Sequence, residues 1–219
     1  MSFSTLTGSR RGADASLDGM AMSLILRSPR GAALIDTLAA CALMAILSAM
    51  AIPLVHGTRE RNEARMATRY LATRLALLRV QALRRNQTLA MRFDPDVPGQ
   101  FGIYADEDGD GVRQADIDGA IDSRVADDER LADYFAGVSF AIPSAIPAPD
   151  DGAMIEAGAD PIRIGGTDLL SFSPLGTATS GTLYLMGRSG PQMCVRILGS
   201  TGRIRVMWYD PASGAWRQD

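Results

Sequence analysis

Three short stretches hold residue types whose spacing suggests chemistry. In "DEDGDGVRQADID", Asp106, Asp108, Asp110 and Gly111 follow the D-x-D-x-D-G order of a calcium loop. Alternate carboxylates can converge there because glycine permits a sharp turn. The twelfth position, where a bidentate Glu belongs, is Ile117, which leaves Asp116 or Asp118 to complete the set. A weak calcium site and a solvated turn both remain open. In "GRIR", Arg203 and Arg205 alternate with apolar neighbours; on a strand they share one face about 6.6 Å apart, a reach compatible with neighbouring backbone phosphates. In "GAALIDTLAACALMAILSAMAIP", residues 31–53, Asp36 is the one formal charge. An acid in such a run is by default functional and needs a partner, since it costs about 2.5–3.5 kcal/mol at the centre of a bilayer.

The chemistry these stretches exclude is equally informative. His56 is the single histidine and borders the apolar run, so a Ser-His-Asp or Cys-His unit in the rest of the chain is ruled out. No Cys/His metal spacing and no phosphate-cradling glycine loop occurs. The expectation is a protein that is not an enzyme. Cys41 and Cys194 are read as free thiols, because a residue in the apolar run and one far beyond it do not meet the distance a disulfide requires.

Elements that would position these residues can be read from pattern. Residues 32–55 are long enough to cross a bilayer as a helix. Beyond Pro53, the residues Ala64, Ala67, Leu71, Leu75, Leu78 and Ala82 recur at spacings of three and four, which predicts an amphipathic helix to about Asn86. Thr58 is either its N-cap or an interior residue of one continuous helix through Pro53. Charge is uneven: residues 94–160 hold 17 acids against three Arg, and residues 56–86 hold eight Arg against two Glu. From there the chain turns to short β-rich runs punctuated by Gly, Pro and Asp. Strands are expected at 88–93, 101–105, 138–142, 169–172, 182–186, 192–198 and 203–209. The Pro- and Ala-rich segment 141–161 reads as a long loop.

A glycine after a short basic stretch (Gly31), an acid five positions on (Asp36) and a proline twenty-two positions on (Pro53) resemble the processing signal of type IV pilins and type II secretion pseudopilins. "LLSFSPLGTATSGTLYL" and "MCVRILGSTGRIRVMWY" further resemble the C-terminal half of minor pseudopilin H and FimT-type minor pilins. The resemblance implies cleavage by a prepilin peptidase after Gly31, N-methylation of Ala32, and pairing of Asp36 with the terminal amine of a neighbouring subunit. It also implies that the "GRIR" arginines, Arg203 and Arg205, contact DNA. Two departures stand out: the family favours Phe and Glu where this chain has Ala32 and Asp36. Residues 1–31 form a long leader, and initiation at Met22 would give the compact "MSLILRSPRG".

Together these readings give an α+β protein. A leader over 1–31 precedes a long helix over 32–86, membrane-spanning over 32–55, packed on an antiparallel β-sheet or sandwich head over 87–219 with the loop 141–161. The expected function is that of a minor pseudopilin or minor pilin, held in the bacterial inner membrane with its head in the periplasm. Its partners would be other pilins of the filament and the prepilin peptidase. DNA binding through Arg203 and Arg205 is one alternative, with calcium at Asp106, Asp108, Asp110 and Asp116 as an additional ligand. Another is a periplasmic β-domain released by signal peptidase after Ala51, where Ala49-Met50-Ala51 satisfies the A-x-A preference.

Overall fold

The computed structural model describes residues 29–188 and 190–219; of residues 29–32 and 50–61 it describes the helical backbone alone. The start at Met22 and residues 1–28 of the expected leader lie outside the described residues. The chain divides into two units, residues 1–51 and 52–219.

Helix α1 (Pro29–Arg85) runs without interruption through Pro53 and Gly57, so Thr58 is interior and not a cap. In the first unit, Leu34, Ile35, Leu38, Leu43, Met44, Ile46 and Leu47 are each more than half exposed. Among the described residues, no helix is long and apolar enough to cross a membrane. The expected span 32–55 includes residues 50–55, whose side chains are not described.

In the second unit the helical periodicity has its full effect. Ala64, Ala67, Leu71, Leu75, Leu78 and Ala82 are all fully buried or within 1 % of it, forming one apolar stripe. The helix ends where Asn86 takes a left-handed φ of 51°. The Gln87 amide then reaches back to the Ala82 carbonyl at 3.2 Å, a Schellman-type closure. Arg84 and Arg85 in the last turn suit the negative end of the helix dipole.

Two antiparallel sheets face that stripe. The first has the order β3-β2-β1-β8, from β1 (Leu89–Phe93), β2 (Gln100–Ala105), β3 (Ser123–Arg130) and β8 (Leu169–Phe172). Short helices α2 (Gln114–Asp118) and α3 (Leu131–Tyr134) flank β3. The second sheet has the order β12-β11-β10-β9-β4, with β7 also pairing β9. Its strands are β4 (Ser139–Phe140), β7 (Ile162–Ile164), β9 (Gly181–Met186), β10 (Met193–Leu198), β11 (Arg203–Asp210) and β12 (Ala215–Gln218). Met91, Phe93, Phe101, Leu183, Val195 and Ile197 meet the helical stripe in one core. Burying a side chain such as Leu75 or Phe101 contributes about 1.5–3 kcal/mol each, so this interface sets the stability of the unit.

Segment 141–161 is more ordered than a loop. It holds a hairpin of β5 (Ile146–Pro147) and β6 (Met154–Ile155), and Ile142, Ile146 and Ile155 are buried against Tyr184 and Cys194 on the outward face of the second sheet. The Trp216 indole N–H donates to the Pro147 carbonyl at 2.7 Å and fixes the hairpin over that face. Pro143 and Pro147 obscure the pattern in sequence, yet the isoleucines find cover all the same.

Candidate functional site

Of the residues expected to act in processing and assembly, Gly31, Ala32 and Pro53 all lie within α1, where only their backbone is described. Asp36 is exposed on α1, and no ion pair to it forms among the described residues. Thr37 and Ser48, the hydroxyls of this run, donate back to the Leu34 and Met44 carbonyls at 2.9 and 2.7 Å. Their polarity is thereby satisfied inside the helix. That leaves the Asp36 carboxylate as the conspicuous polar group on an exposed apolar surface. Cys41 is exposed and free, and Cys194 is buried and free. Burial pushes the Cys194 thiol well above its ordinary pKa, so it behaves as a small apolar core residue.

The acidic turn follows β2. Both Asp106 carboxylate oxygens accept backbone amides, from Gly109 at 2.7 Å and Gly111 at 3.0 Å. Asp122, which the motif does not include, accepts the amides of Glu107 at 3.3 Å and Arg113 at 3.2 Å. Gly111 has a φ of +93°, which explains its place in the motif. The carboxylates fall into two overlapping groups, Asp106 with Asp108 and Asp122, and Asp108 with Asp110 and Asp116, each within 4.8 Å. The four expected calcium ligands are thus divided between the two groups. Arg113 pairs with Asp110, and desolvation together with neighbouring Asp108 raises the Asp110 pKa. The turn can offer oxygen ligands to a hard cation, but two of its acids already shape the loop by accepting amides.

The "GRIR" stretch opens β11. Gly202 sits at the β10–β11 turn with a φ of +57°, and a Cβ there would come within 2.5 Å of the Gly176 carbonyl oxygen. The glycine is therefore required both by the turn's backbone and by the close approach of the β8–β9 connection. Arg203 stands opposite Leu198, and Arg205 opposite Arg196. Val195 and Ile197 point into the core between sheet and helix, so Arg196, Arg203 and Arg205 share the outward face. Arg205 keeps a buried Nε with no hydrogen-bond partner. Arg196 is held by Asp150, with Nε to Oδ1 at 2.9 Å and Nη2 to Oδ2 at 2.5 Å. The strand boundaries at 192–198 and 203–209 already imply this hairpin, so Arg196 could have been found from its register opposite Arg205. Asp150 could not, because it comes from the hairpin segment.

A further ionic cluster ties sheet to helix. Asp219 accepts from Arg65 and, at 2.8 Å, from Arg69 of α1, and its side chain is 1 % exposed. Hydrogen bonding to Arg65 is the main cause that holds its carboxyl below the ordinary 3.8. A depressed folded-state pKa stabilises above the unfolded value and is lost as pH falls through the folded one. Asp219→Asn is expected to lower the thermal midpoint at neutral pH by roughly 2–4 °C, the equivalent of about 1 kcal/mol given the exposed Arg partners. That difference should shrink as pH falls below the ordinary 3.8 and vanish once the pH is below the lowered folded-state value, as checked by paired melts across pH. On the other side of the core, Glu129 of β3 pairs with Arg74 and accepts the Tyr70 hydroxyl at 2.5 Å.

No curated protein is recognisably similar to this chain in sequence. Two solved structures of the minor pseudopilin EpsH from the Type 2 Secretion System of Vibrio cholerae align with it at 17 % and 16 % identity. Each covers 67 % of this chain, with 97 % and 96 % of their own, at TM-scores of 0.42 and 0.41. Assignment rests on the sequence itself, for residues 67–202 match the family model of type II transport protein GspH. That match spans well over half of the 219 residues; the chain belongs to the GspH family of type II transport proteins.

Proposed function

We propose that the protein is a minor pseudopilin of type II secretion. It is processed after Gly31, anchored in the inner membrane by the first part of α1, and assembled with other pseudopilins into a periplasmic filament that it primes or caps. The observation that carries this reading, beside family membership, is the exposed apolar surface of residues 34–47 with Asp36 as its one acid. Such a surface requires lipid or a neighbouring helix to cover it. An acid within it requires a cation, which a cleaved neighbour's terminal amine supplies in a low-dielectric setting.

Cys41 lies in the same surface and is a natural probe. In sealed inner-membrane vesicles it is expected to resist a membrane-impermeant maleimide and to form crosslinks to another pseudopilin when short thiol-reactive crosslinkers are added. Full labelling in sealed vesicles, with no crosslinked partner, would contradict the reading.

A second reading, nucleic-acid binding, is supported by the outward placement of Arg203 and Arg205 on one face of β11. It predicts that a DNA mobility shift given by the intact protein is lost in the Arg203→Ala, Arg205→Ala double variant; unchanged affinity there would remove it.

A further inference from the structure

The outward face of the second sheet carries more positive charge than "GRIR" alone supplies. Strand register puts Arg163 of β7 opposite Thr182 of β9, Thr182 opposite Arg196 of β10, and Arg196 opposite Arg205 of β11. One row across four strands therefore reads Arg163, Thr182, Arg196, Arg205, with Arg203 beside it along β11. Arg196 Nη1 donates to the Thr182 hydroxyl at 3.2 Å, which fixes its side chain along the row.

Like charges directly opposite on adjacent strands repel, so Arg196 and Arg205 need anionic compensation. Asp150 is the acid that meets this row, and it reaches only Arg196. Arg163, Arg203 and Arg205 form no ion pair among the described residues, and Arg163 and Arg203 are exposed. The buried, unpartnered Nε of Arg205 is a further donor without an acceptor. Asp150 itself lies on the hairpin that covers the adjoining apolar part of the same face, between Pro147, tethered by Trp216, and Met154.

We propose that Arg163 and Arg196 extend the "GRIR" arginines into one site for the phosphodiester backbone of a nucleic acid, and that Asp150 is a built-in competitor for it. The carboxylate occupies Arg196 when the site is empty and yields to a phosphate when the strand binds. This rests on the second reading above. The strands repeat about every 4.8 Å and alternate residues along a strand lie about 6.6 Å apart, so the guanidinium groups can follow a linear polyanion but present no base-reading pocket. Binding is accordingly independent of sequence and falls with salt, with a slope near 0.7 for each phosphate contacted on a single strand.

The test uses the full chain in detergent micelles and a fluorescein-labelled single-stranded thymidine oligonucleotide, titrated at several salt concentrations. Asp150→Asn is expected to tighten binding about twofold to fivefold, the range an exposed ion pair is worth, and to leave the salt slope unchanged, because Arg196 meets the same phosphate in both proteins. Arg163→Gln should weaken binding and flatten the slope by about 0.7. Asp151→Asn removes the same charge from the neighbouring position, where the carboxylate accepts the Ala153 amide instead, and should match wild type. If wild type binds and Asp150→Asn merely equals Asp151→Asn, the competitor is overturned while nucleic-acid binding stands. If wild type binds and Arg163→Gln is without effect, the extended row is overturned. If neither wild type nor Asp150→Asn binds the oligonucleotide at low salt, the second reading fails and the proposal fails with it.

Discussion

Asp36→Ala is expected to leave the protein inserted and folded yet absent from crosslinked pseudopilin complexes, with secretion through the machine reduced at least tenfold. Removing one partner of a buried, hydrogen-bonded ion pair costs about 3–5 kcal/mol, because the other charge stays buried and uncompensated. That corresponds to a loss of about two to nearly four orders of magnitude in association. The head should be untouched, since Asp36 belongs to the unit 1–51 and the core belongs to the unit 52–219. Asp36→Glu restores the charge on a side chain longer by one methylene and is expected to recover most of the assembly. In-cell crosslinking from Cys41, read beside a secretion assay, checks both variants. An Asp36→Ala protein that crosslinks and supports secretion like wild type would remove the acid from any role in assembly.

Leu75→Ala should produce a large loss of stability. Leu75 is fully buried between the helix and both sheets, and such truncations cost about 2–5 kcal/mol through lost transfer free energy and the cavity left behind. For a unit of this size the thermal midpoint should fall by roughly 4–20 °C. Leu77, two residues on and 48 % exposed, is the internal comparison: Leu77→Ala is expected to change stability by about 0.5 kcal/mol or less. Near-ultraviolet circular dichroism melts of the full chain in detergent separate the two. Equal effects would mean that the helix presents a different face to the sheets.

Legibility in the sequence follows the strength of each physical pattern. The stripe from Ala64 to Ala82 is readable because a 3.6-residue period sustained over several turns fits a helix and no strand. β8 coincides with its expected bounds and β1, β2, β9, β10 and β11 fall within one residue of theirs, as alternating or continuous apolar runs between turn residues do. β3 is not readable, since "SRVADDER" is a charged edge strand whose exposed side lacks the alternation that marks a half-buried one. β7 is only three residues long, β12 is a mostly exposed "AWRQ" without an apolar run, and the hairpin of β5 and β6 is hidden among prolines. β4 is shorter than the expected 138–142, because Ile142 leaves the ladder to pack under the hairpin.

Sites are less legible than elements. Asp106, Asp108 and Asp110 satisfy a calcium pattern, yet the same spacing serves a turn in which Asp106 accepts the amides of Gly109 and Gly111. Sequence does not distinguish an oxygen aimed at a cation from one aimed at an amide. Asp122 joins the cluster from beyond α2, outside the length of the motif. Arg163, Arg196 and Asp150 come together only through strand pairing and the covering hairpin, which local sequence does not encode.

If the chain enters an assembly as proposed, it does so through a helix whose mature start lies just ahead of Asp36. The intact mass and N-terminal sequence of the protein, taken from membranes of cells that carry the prepilin peptidase, test this start most directly. The expected result is a chain beginning at N-methylated Ala32. A chain beginning at Ile52, as cleavage after Ala51 would leave it, would contradict the proposal and leave a released periplasmic β-domain in its place.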